Sequence, residues 1–402
     1  MTRFPRGLLI LCTALAALST ALAVGSAQER PAGFGDPLPG LLPAEFERFR
    51  IGLDDFLEVE TAEEGLGPAF NGASCAVCHS VPAIGGVSLV SEVRAAFRDG
   101  QGEIRPLALP DGSPGDTLFH LFSIPTHGCQ PAVPPEANII ARRIPIPLFG
   151  AGLVEAIDDE TIRALEDPLD RDGDGISGRA AIVVDLGTGA SRVGRFGWKS
   201  QQATLRTFSA DAYRNEMGIT NEIFPTELAV GVSPEAMRLC DPIPDPEDVT
   251  DPRTGLAAID NFEAFLRFLA PPARGPIDDR VRAGEATFRA IGCAACHVPA
   301  LETGDSRHPL FHRKTVALFS DLLLHDVATG DGIPQAAALP HEIRTPSLWG
   351  LRVRRPFLHD GSASTVEEAI LRHGIEADAV RRRFSALDPT ARAALLAFLN
   401  SL

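Results

Sequence analysis

Two segments of the chain carry phenylalanine and aliphatic residues at helical spacing, and each stands immediately before a pair of cysteines. In PAEFERFRIGLDDFLE, the side chains of Phe46, Phe49 and Phe56 fall close to one face of a helix. In IDDRVRAGEATFRAIG, Val281 and Phe288 keep a similar rhythm. Both segments therefore predict an amphipathic helix that leads into a cysteine motif.

Each half of the chain also ends in a segment with the pattern of an amphipathic helix. The first is AIDNFEAFLRFLA, in which Phe262, Phe265 and Leu269 lie on one stripe. The second is DPTARAALLAFLNSL, where Asp388 can cap the helix and Pro389 suits its first position. The stretch APPARGP between the two halves has the composition of a linker.

This repeated order of helix, cysteine motif, loops and closing helix predicts a mostly α-helical protein with two domains. We place the first domain at residues 28–270 and the second at residues 277–402. The 33 prolines and 37 glycines indicate long, ordered loops between few helices, and no strand-rich region stands out.

The first 27 residues have the pattern of a secretory signal peptide. Arg3 and Arg6 precede an apolar run, and small residues permit cleavage after Ala23 or Ala27. An uncleaved membrane anchor is the alternative, although an apolar run of about 17 residues is short for a span. We therefore expect an exported, in bacteria periplasmic, protein that does not span the membrane after processing.

The net charge of the chain is −16, which argues against a nucleic-acid partner. It is compatible with a basic protein partner, and equally with an ordinary solvated acidic surface.

The chemistry of the chain is concentrated in two copies of Cys-x-x-Cys-His, the attachment signature of c-type haem. On a helical turn the two thiols and the histidine share one face, so the thiols reach one porphyrin edge and the histidine lies beneath the iron. A zinc site is the alternative, but it needs four soft ligands as thiolates, which an oxidising compartment disfavours. The motif residues are Cys75, Cys78, His79, Cys293, Cys296 and His297.

Two further cysteines, Cys129 and Cys240, remain after the signal peptide removes Cys12. In an exported protein they predict one structural disulfide, with free buried thiols or a redox-active pair as the alternatives.

The function of each haem depends on its sixth ligand. The sequence offers a good candidate for this ligand at the second haem but not at the first. A capping box of Ser364 and Glu367 and a stop at Gly374 predict a helix whose buried face carries His373. His373 is therefore a candidate distal ligand of the second haem, and a core histidine bonded to backbone is the alternative.

No candidate of similar quality exists for the first haem, and an open or weakly occupied face is the leading interpretation. Peroxide cleavage at an open face needs an acid–base group, and Glu155, within the apolar run FGAGLVEAI, is a candidate for it. An ordinary surface glutamate is the alternative. The possible sixth ligands in this half are His120, His127, Met217 and Met237, of which Met217 is the best.

The segment DRDGDGISG resembles the first half of a calcium loop, with carboxylates at alternate positions in Asp170, Asp172 and Asp174. The twelfth position is Ala181 rather than glutamate, so the loop is not a complete EF-hand. A tight Asp/Gly turn without an ion is the alternative.

The stretch RTPSLWGL, then FLHDG, then TVEEAI, resembles the C-terminal domain of bacterial di-haem cytochrome c peroxidases. The segments GPAFNGASCAVCHS, FGAGLVEAI, DRDGDGISGR, GRFGWKSQQATL and SDLLLHDV resemble the related di-haem oxidoreductase family. Together these segments cover most of the mature chain. One departure is Val327, where a methionine is expected after LLLHD.

This resemblance implies two cytochrome c-like helical domains and assigns roles to several residues. The family places a haem-ligating methionine fourteen residues after a histidine equivalent to His359, and here that position is His373. It implies that Trp198 carries electrons between the haems, with core packing as the alternative. It also supports calcium binding, and it gives His359 and His325 supporting roles rather than ligand roles.

The resulting expectation is an exported peroxidase that reduces hydrogen peroxide with electrons from a small redox protein, a cytochrome or a cupredoxin. The second haem would receive the electrons and the first would bind peroxide. The alternatives are a di-haem electron-transfer cytochrome without catalysis and a haem oxidase that acts on an organic or protein substrate.

Overall fold

The computed structural model describes residues 31–107, 115–124, 128–241 and 243–402, so the predicted signal peptide lies outside the described residues. The α-helices are α1 Pro43–Leu57, α2 Cys75–Cys78, α3 Ala151–Glu155, α4 Asp159–Arg163, α5 Leu205–Ala212, α6 Pro234–Cys240, α7 Ala258–Phe268, α8 Asp279–Ala290, α9 Val366–Arg372, α10 Asp378–Ser385 and α11 Pro389–Leu399. The strands are β1 Ala69–Phe70, β2 Glu92–Arg98, β3 Ile104–Arg105, β4 Leu118–Phe119, β5 Phe122–Ser123, β6 Ile139–Arg143, β7 Ala181–Asp185, β8 Ala190–Gly194, β9 Leu301–Glu302, β10 Thr315–Val316, β11 Leu324–His325 and β12 Ile343–Arg344.

Helices α1 and α7, the first helix pair predicted from the sequence, pack against each other. The crossing is close because α1 presents Gly52, where a Cβ atom would lie only 2.1 Å from the carbonyl oxygen of Asn261. The Asn261 amide nitrogen also donates to Asp55 Oδ2 at 2.7 Å. Phe56 of α1 and Phe265 of α7 complete the contact, with ring centroids 4.9 Å apart.

Helices α8 and α11 repeat this arrangement in the second half of the chain. Gly284 stands at their crossing, and a Cβ atom there would lie 2.0 Å from the carbonyl oxygen of Ala394. The rings of Phe288 and Phe398 pack with centroids 5.2 Å apart. The predicted cap of α11 is confirmed, since Asp388 Oδ1 accepts hydrogen bonds from two backbone amides of the first turn.

The prediction of a mostly α-helical chain was only partly correct, because 29% of the described residues are helical and 14% lie in strands. Strand β2 pairs with β3, β4 and β6, and β7 forms a hairpin with β8. The β2 sequence EVRAAFR buries four consecutive residues and contains little of the β-branched alternation that marks a strand. Most of the other strands have only two residues, which is too short for any periodicity to be read.

Two large apolar cores support the two cysteine motifs. The first combines residues between 38 and 270 with residues 301–323, and the second lies within residues 281–402. Residues 31–402 form one compact unit, and the domain boundaries at 270 and 277 stay a prediction. Within the described ranges, no helix has the length and apolar character that a membrane crossing requires.

We predict that Gly284→Ala lowers the free energy of unfolding by about 1–3 kcal/mol, since the new methyl group overlaps a backbone carbonyl that cannot move freely. This loss outweighs the roughly 0.5–1 kcal/mol that alanine gains over glycine within a helix. Denaturant unfolding of the holoprotein measures the change. Gly100→Ala is the control, because nothing lies within 4 Å of a Cβ atom there. Equal stability of the two variants would contradict the close crossing.

Candidate haem sites

The first Cys-x-x-Cys-His motif forms a short helix with its histidine at the end. Ser74 caps helix α2, its Oγ accepting from the Ala76 amide at 3.3 Å. The His79 amide donates to the Cys75 carbonyl at 3.1 Å, and the His79 ring nitrogen Nδ1 lies 2.9 Å from the carbonyl oxygen of Gly86. Burial lowers the pKa of His79 to about 4, so the ring is neutral. Its Nε2 is therefore the nitrogen that remains for an iron.

Cys75, Cys78 and His79 line a cavity with an empty volume of about 1160 Å³, including the part that opens to solvent. The cavity walls are mainly apolar and aromatic. They include Phe56, Ile144, Ile146, Phe208, Phe262 and Leu266.

The second motif has the same arrangement on a 3₁₀ turn, Cys293–Ala295, instead of an α-helix. The His297 amide donates to the Cys293 carbonyl at 2.9 Å, and the ring Nδ1 lies 3.1 Å from the carbonyl oxygen of Phe319. Burial, and then the nearby His373, lower the pKa of His297 to about 4.

His373 lines the same cavity as His297, which has an empty volume of about 1290 Å³. It stands at the C-terminal end of α9, and its Nδ1 donates to the Ala369 carbonyl at 2.7 Å. Its Nε2 is therefore also left for the cavity. The predicted helix bounds were close, but the cap was wrong by one residue. Thr365 is the N-cap, and its Oγ1 accepts from the Glu368 amide at 3.0 Å. The side chain of Glu368, rather than that of Glu367, accepts from the Ser364 amide at 2.7 Å.

Within the described part of the chain, two buried guanidinium groups at the second cavity have no carboxylate partner. Arg354 is 7% exposed, and its Nε and one Nη atom have no hydrogen-bond partner among the described residues. Arg344 donates only to backbone carbonyls. Burial lowers the pKa of both groups to about 10. Unpaired buried cations require an anion, and the carboxylates of haem propionates would supply one.

These features fit haem c in both cavities and do not fit a shared zinc site. Each cavity holds its own pair of thiols and its own histidine, so the four cysteines do not converge. Residues that would hold the first group are Cys75, Cys78 and His79. Residues that would hold the second are Cys293, Cys296, His297 and His373.

Trp198 lines both cavities and is 6% exposed. Its Nε1 donates to the Ile144 carbonyl at 2.8 Å, which fixes the ring. The Arg354 guanidinium carbon lies 5.3 Å from the Trp198 ring centroid, and the His359 ring packs edge-on at 6.2 Å. The position between the cavities is the one expected of a relay.

Both ring nitrogens of His325 are held by hydrogen bonds, whereas the supporting role of His359 stays a prediction. His325 is held between two carboxylates, with Nε2 2.9 Å from Asp321 and Nδ1 2.8 Å from Glu376. Although burial lowers its pKa, these hydrogen bonds raise it well above the usual value, so both nitrogens carry protons. His359 lines the second cavity, as does Val327.

Glu155 does not line the first cavity. Its Oε1 accepts from the Leu205 amide at 2.7 Å, and its Oε2 pairs with Arg267 at 2.9 Å. This contact joins three helices, so the position is explained by packing. The acid–base role of Glu155 stays a prediction that this geometry does not favour.

The sequence interpretation missed another carboxylate, Glu216, which lines the first cavity. It lies in the π-helical turn Tyr213–Met217, and its Oε2 accepts from the side-chain Nδ2 of Asn71 at 2.9 Å. Burial and the neighbouring Glu92 raise the pKa of Glu216 to about 8. Its position next to Met217 in RNEMGIT was the available signal.

Of the candidate donors for the first haem that the structure describes, only Met217 lines the cavity, where it is 3% exposed. His120 is bound through Nε2 to the Asn215 carbonyl at 2.7 Å. Met237 packs in a separate cluster beside the disulfide. His127 lies outside the described residues.

The remaining predictions concern the disulfide and the calcium loop. Cys129 and Cys240 form the predicted disulfide, with Cα atoms 5.9 Å apart. Asp170, Asp172 and Asp174 each place a carboxylate oxygen within 4.8 Å of the others. Calcium at this loop stays a prediction.

The chain belongs to the di-haem oxidoreductases. Residues 135–402 match the sequence profile of the family described as "Di-haem oxidoreductase, putative peroxidase". Membership gives the chain a general redox function and implies two haems.

Two curated relatives carry the name methylamine utilization protein MauG. The protein from Methylophilus methylotrophus is 28% identical over 156 residues, which are 36% of this chain and 42% of that protein. The protein from Methylorubrum extorquens is 33% identical over 117 residues, 28% of this chain and 31% of that protein. The matches thus span less than half the length of these relatives.

Among solved structures, hydrazine synthase from Kuenenia stuttgartiensis aligns over the full length of both chains, with 16% identity and a TM-score of 0.40. The diheme peroxidase BthA from Burkholderia thailandensis aligns over 77% of this chain and 94% of its own, with 15% identity and a TM-score of 0.32. Scores at this level do not define a fold relationship.

We predict that His325→Leu lowers the free energy of unfolding by about 3–5 kcal/mol, because it leaves the buried carboxylates of Asp321 and Glu376 without a cation. Thermal and denaturant unfolding measure the loss. The visible spectrum of the second haem should keep its coordination pattern, since His325 is not a ligand. The exposed His341 provides the control variant His341→Leu. A His325 variant as stable as this control would contradict the buried ion-pair assignment.

Proposed function

We propose that this chain is an exported di-haem c peroxidase, which reduces hydrogen peroxide to water with electrons from a small cytochrome or cupredoxin. The observation that carries the proposal is the difference between the two cavities. The second cavity holds two histidines whose Nε2 atoms are both available, His297 and His373. The first holds one such histidine, His79, together with the carboxyl groups of Glu92 and Glu216.

A haem iron with one protein ligand and an open face binds and activates peroxide, whereas one with two strong ligands transfers electrons. His79 would hold the first group, which would supply the site for peroxide. His297 and His373 would both hold the second group, which would supply electron transfer. Histidine in place of methionine lowers the reduction potential of that second haem.

Glu216 is the residue that we assign to proton movement in the first cavity. Reduction of peroxide consumes protons, so a carboxyl group that retains one near neutral pH suits the task. The buried position of Glu216 and the charge of Glu92 keep its pKa at about 8. Asn71 holds the Oε2 atom in place. Glu155 is assigned no step here.

Trp198 supports electron transfer between the cavities, because its ring lines both of them and is held by the Ile144 carbonyl. Calcium at Asp170, Asp172 and Asp174 is part of the proposal only as a structural ion. The proposal also includes export of the protein by a signal peptide over residues 1–27.

An electron-transfer cytochrome without catalysis is the second candidate, and one observation favours it. Met217 is buried and lines the first cavity together with His79, so its sulfur would be a second candidate donor to a haem held there. Peroxide reactivity of the half-reduced protein separates the two functions.

We predict that Glu216→Gln lowers the second-order rate constant of the half-reduced protein with hydrogen peroxide by about 10²- to 10⁴-fold, because the glutamine cannot transfer a proton. Stopped-flow absorbance of the first haem measures the rate. Cyanide binding to the same haem should be retained, which shows that the cavity is intact.

Glu222→Gln is the matched control, since Glu222 lies six residues further along and is exposed, paired with Arg206. Its rate should equal that of the unmodified protein. A Glu216→Gln variant that reacts within a few-fold of this control overturns the assignment of Glu216. Absence of any peroxide reaction in the unmodified, half-reduced protein overturns the peroxidase itself.

A further inference from the structure

Four carboxylates outside the haem cavities converge on one point, and we call them the acidic cluster. They are Glu227, Asp241, Asp245 and Glu247. Each offers one carboxylate oxygen, and these oxygens all lie within 4.8 Å of one another. The four residues come from the segments on either side of helix α6, so the chain brings them together by folding rather than by sequence adjacency.

Glu227 shows that the acidic cluster is incomplete as it stands. The residue is 8% exposed, and its Oε1 atom is buried without a hydrogen-bond partner among the described residues. A buried carboxylate that lacks a partner is costly unless a proton or a cation neutralises it. Burial, and then the charge of Glu247, raise the pKa of Glu227 well above its usual range.

No ion pair among the residues placed by the structure involves Glu227, Asp245 or Glu247. Arg214 acts on Glu227 only from a distance, because its guanidinium lies over the ring of Phe224, 4.6 Å from the centroid. That guanidinium also stands 3.7 Å from Asp211. Within the described ranges, the buried Glu227 therefore has no cation paired with it.

We propose that the acidic cluster binds a divalent cation with oxygen ligands, namely calcium. Calcium takes oxygens at about 2.3–2.6 Å, so ligands on opposite sides of one ion stand roughly 5 Å apart. The spacing within the acidic cluster matches that limit. Magnesium needs a tighter and more regular octahedron of ligands, and it loses its water molecules reluctantly. It therefore fits this group of exposed and buried carboxylates less well.

The ion would join the loop after helix α6 to the segment that follows the first haem cavity. Thr220 lies three residues after Met217, and its backbone amide donates to Glu247 Oε2 at 2.6 Å. The Thr220 hydroxyl donates to Asp245 Oδ1 at 2.9 Å, and the Glu247 amide donates to that hydroxyl at 3.1 Å. Asp241 directly follows Cys240 of the disulfide. A bound cation would thus stabilise the segment that carries Glu216.

The test is calcium binding to the chelator-treated holoprotein, measured by isothermal titration calorimetry. The loop at 170–174 is first removed as a competitor by Asp172→Asn and Asp174→Asn. This background protein should still bind one calcium per chain, with a higher melting temperature in calcium than in chelator. Absence of saturable binding in the background overturns the proposal, and protons then neutralise the acidic cluster.

Two variants in the same background locate the ion. Asp245→Asn changes an exposed ligand and leaves the buried residues in place, so it should fold normally and bind calcium at least about tenfold more weakly. Glu227→Gln with Glu247→Gln should abolish binding. The control is Glu235→Gln, which removes an exposed charge from helix α6 outside the acidic cluster and should bind normally. Unchanged affinity in Asp245→Asn, with a normal melting temperature in chelator, overturns the assignment.

Discussion

The arrangement of both redox sites depends on one repeated hydrogen bond, from a histidine Nδ1 to a backbone carbonyl. His79 bonds Gly86 in this way, His297 bonds Phe319, and His373 bonds Ala369. Each bond fixes the ring and its tautomer, and each leaves Nε2 as the free nitrogen. Burial keeps the rings neutral, as an iron ligand requires. Gly86 and Phe319 lie in loops, whereas Ala369 lies within helix α9.

The two cavities differ in the charges that surround them. The first carries the carboxylates of Glu92 and Glu216, which share proton binding because they cannot both ionise freely. Arg94 and Arg143 also line this cavity, and both pair with Glu92. The second carries unpaired guanidinium groups, Arg344 and Arg354, and the imidazolium of His325 lies against it. A carboxylate pair suits proton movement, whereas a cationic wall suits a group that bears propionates and accumulates negative charge on reduction. Trp198 stands where the two environments meet.

The sequence was sufficient for features that depend on local spacing. The thiols and histidines of both motifs, the helix before each motif, the closing helices and the disulfide all follow from short-range patterns and composition. The prediction that His373 is a haem ligand depended on the resemblance to the di-haem peroxidases. A histidine on a buried helix face can equally be a core residue bonded to backbone. The strands were missed because most have two residues, and β2 places Arg94 at a buried position.

Long-range contacts account for the features of the sites that local sequence patterns do not indicate. Glu155 lies in an apolar run, which suggested a cavity carboxylate, but Arg267 on a distant helix pairs with it. Glu216 lies in an ordinary polar sequence, and only folding brings it to Glu92 and to the cavity of His79. The acidic cluster likewise combines Glu227 with residues up to twenty positions away. The local periodicity of the sequence does not indicate such long-range contacts.

Electron paramagnetic resonance of the oxidised and the half-reduced protein, with and without cyanide, tests the difference between the two sites most directly. We expect a low-spin signal that cyanide leaves unchanged, from the haem held by His297 and His373. We expect a second signal that cyanide converts, from the haem held by His79 alone. Two low-spin signals that cyanide does not alter in either redox state would contradict the account.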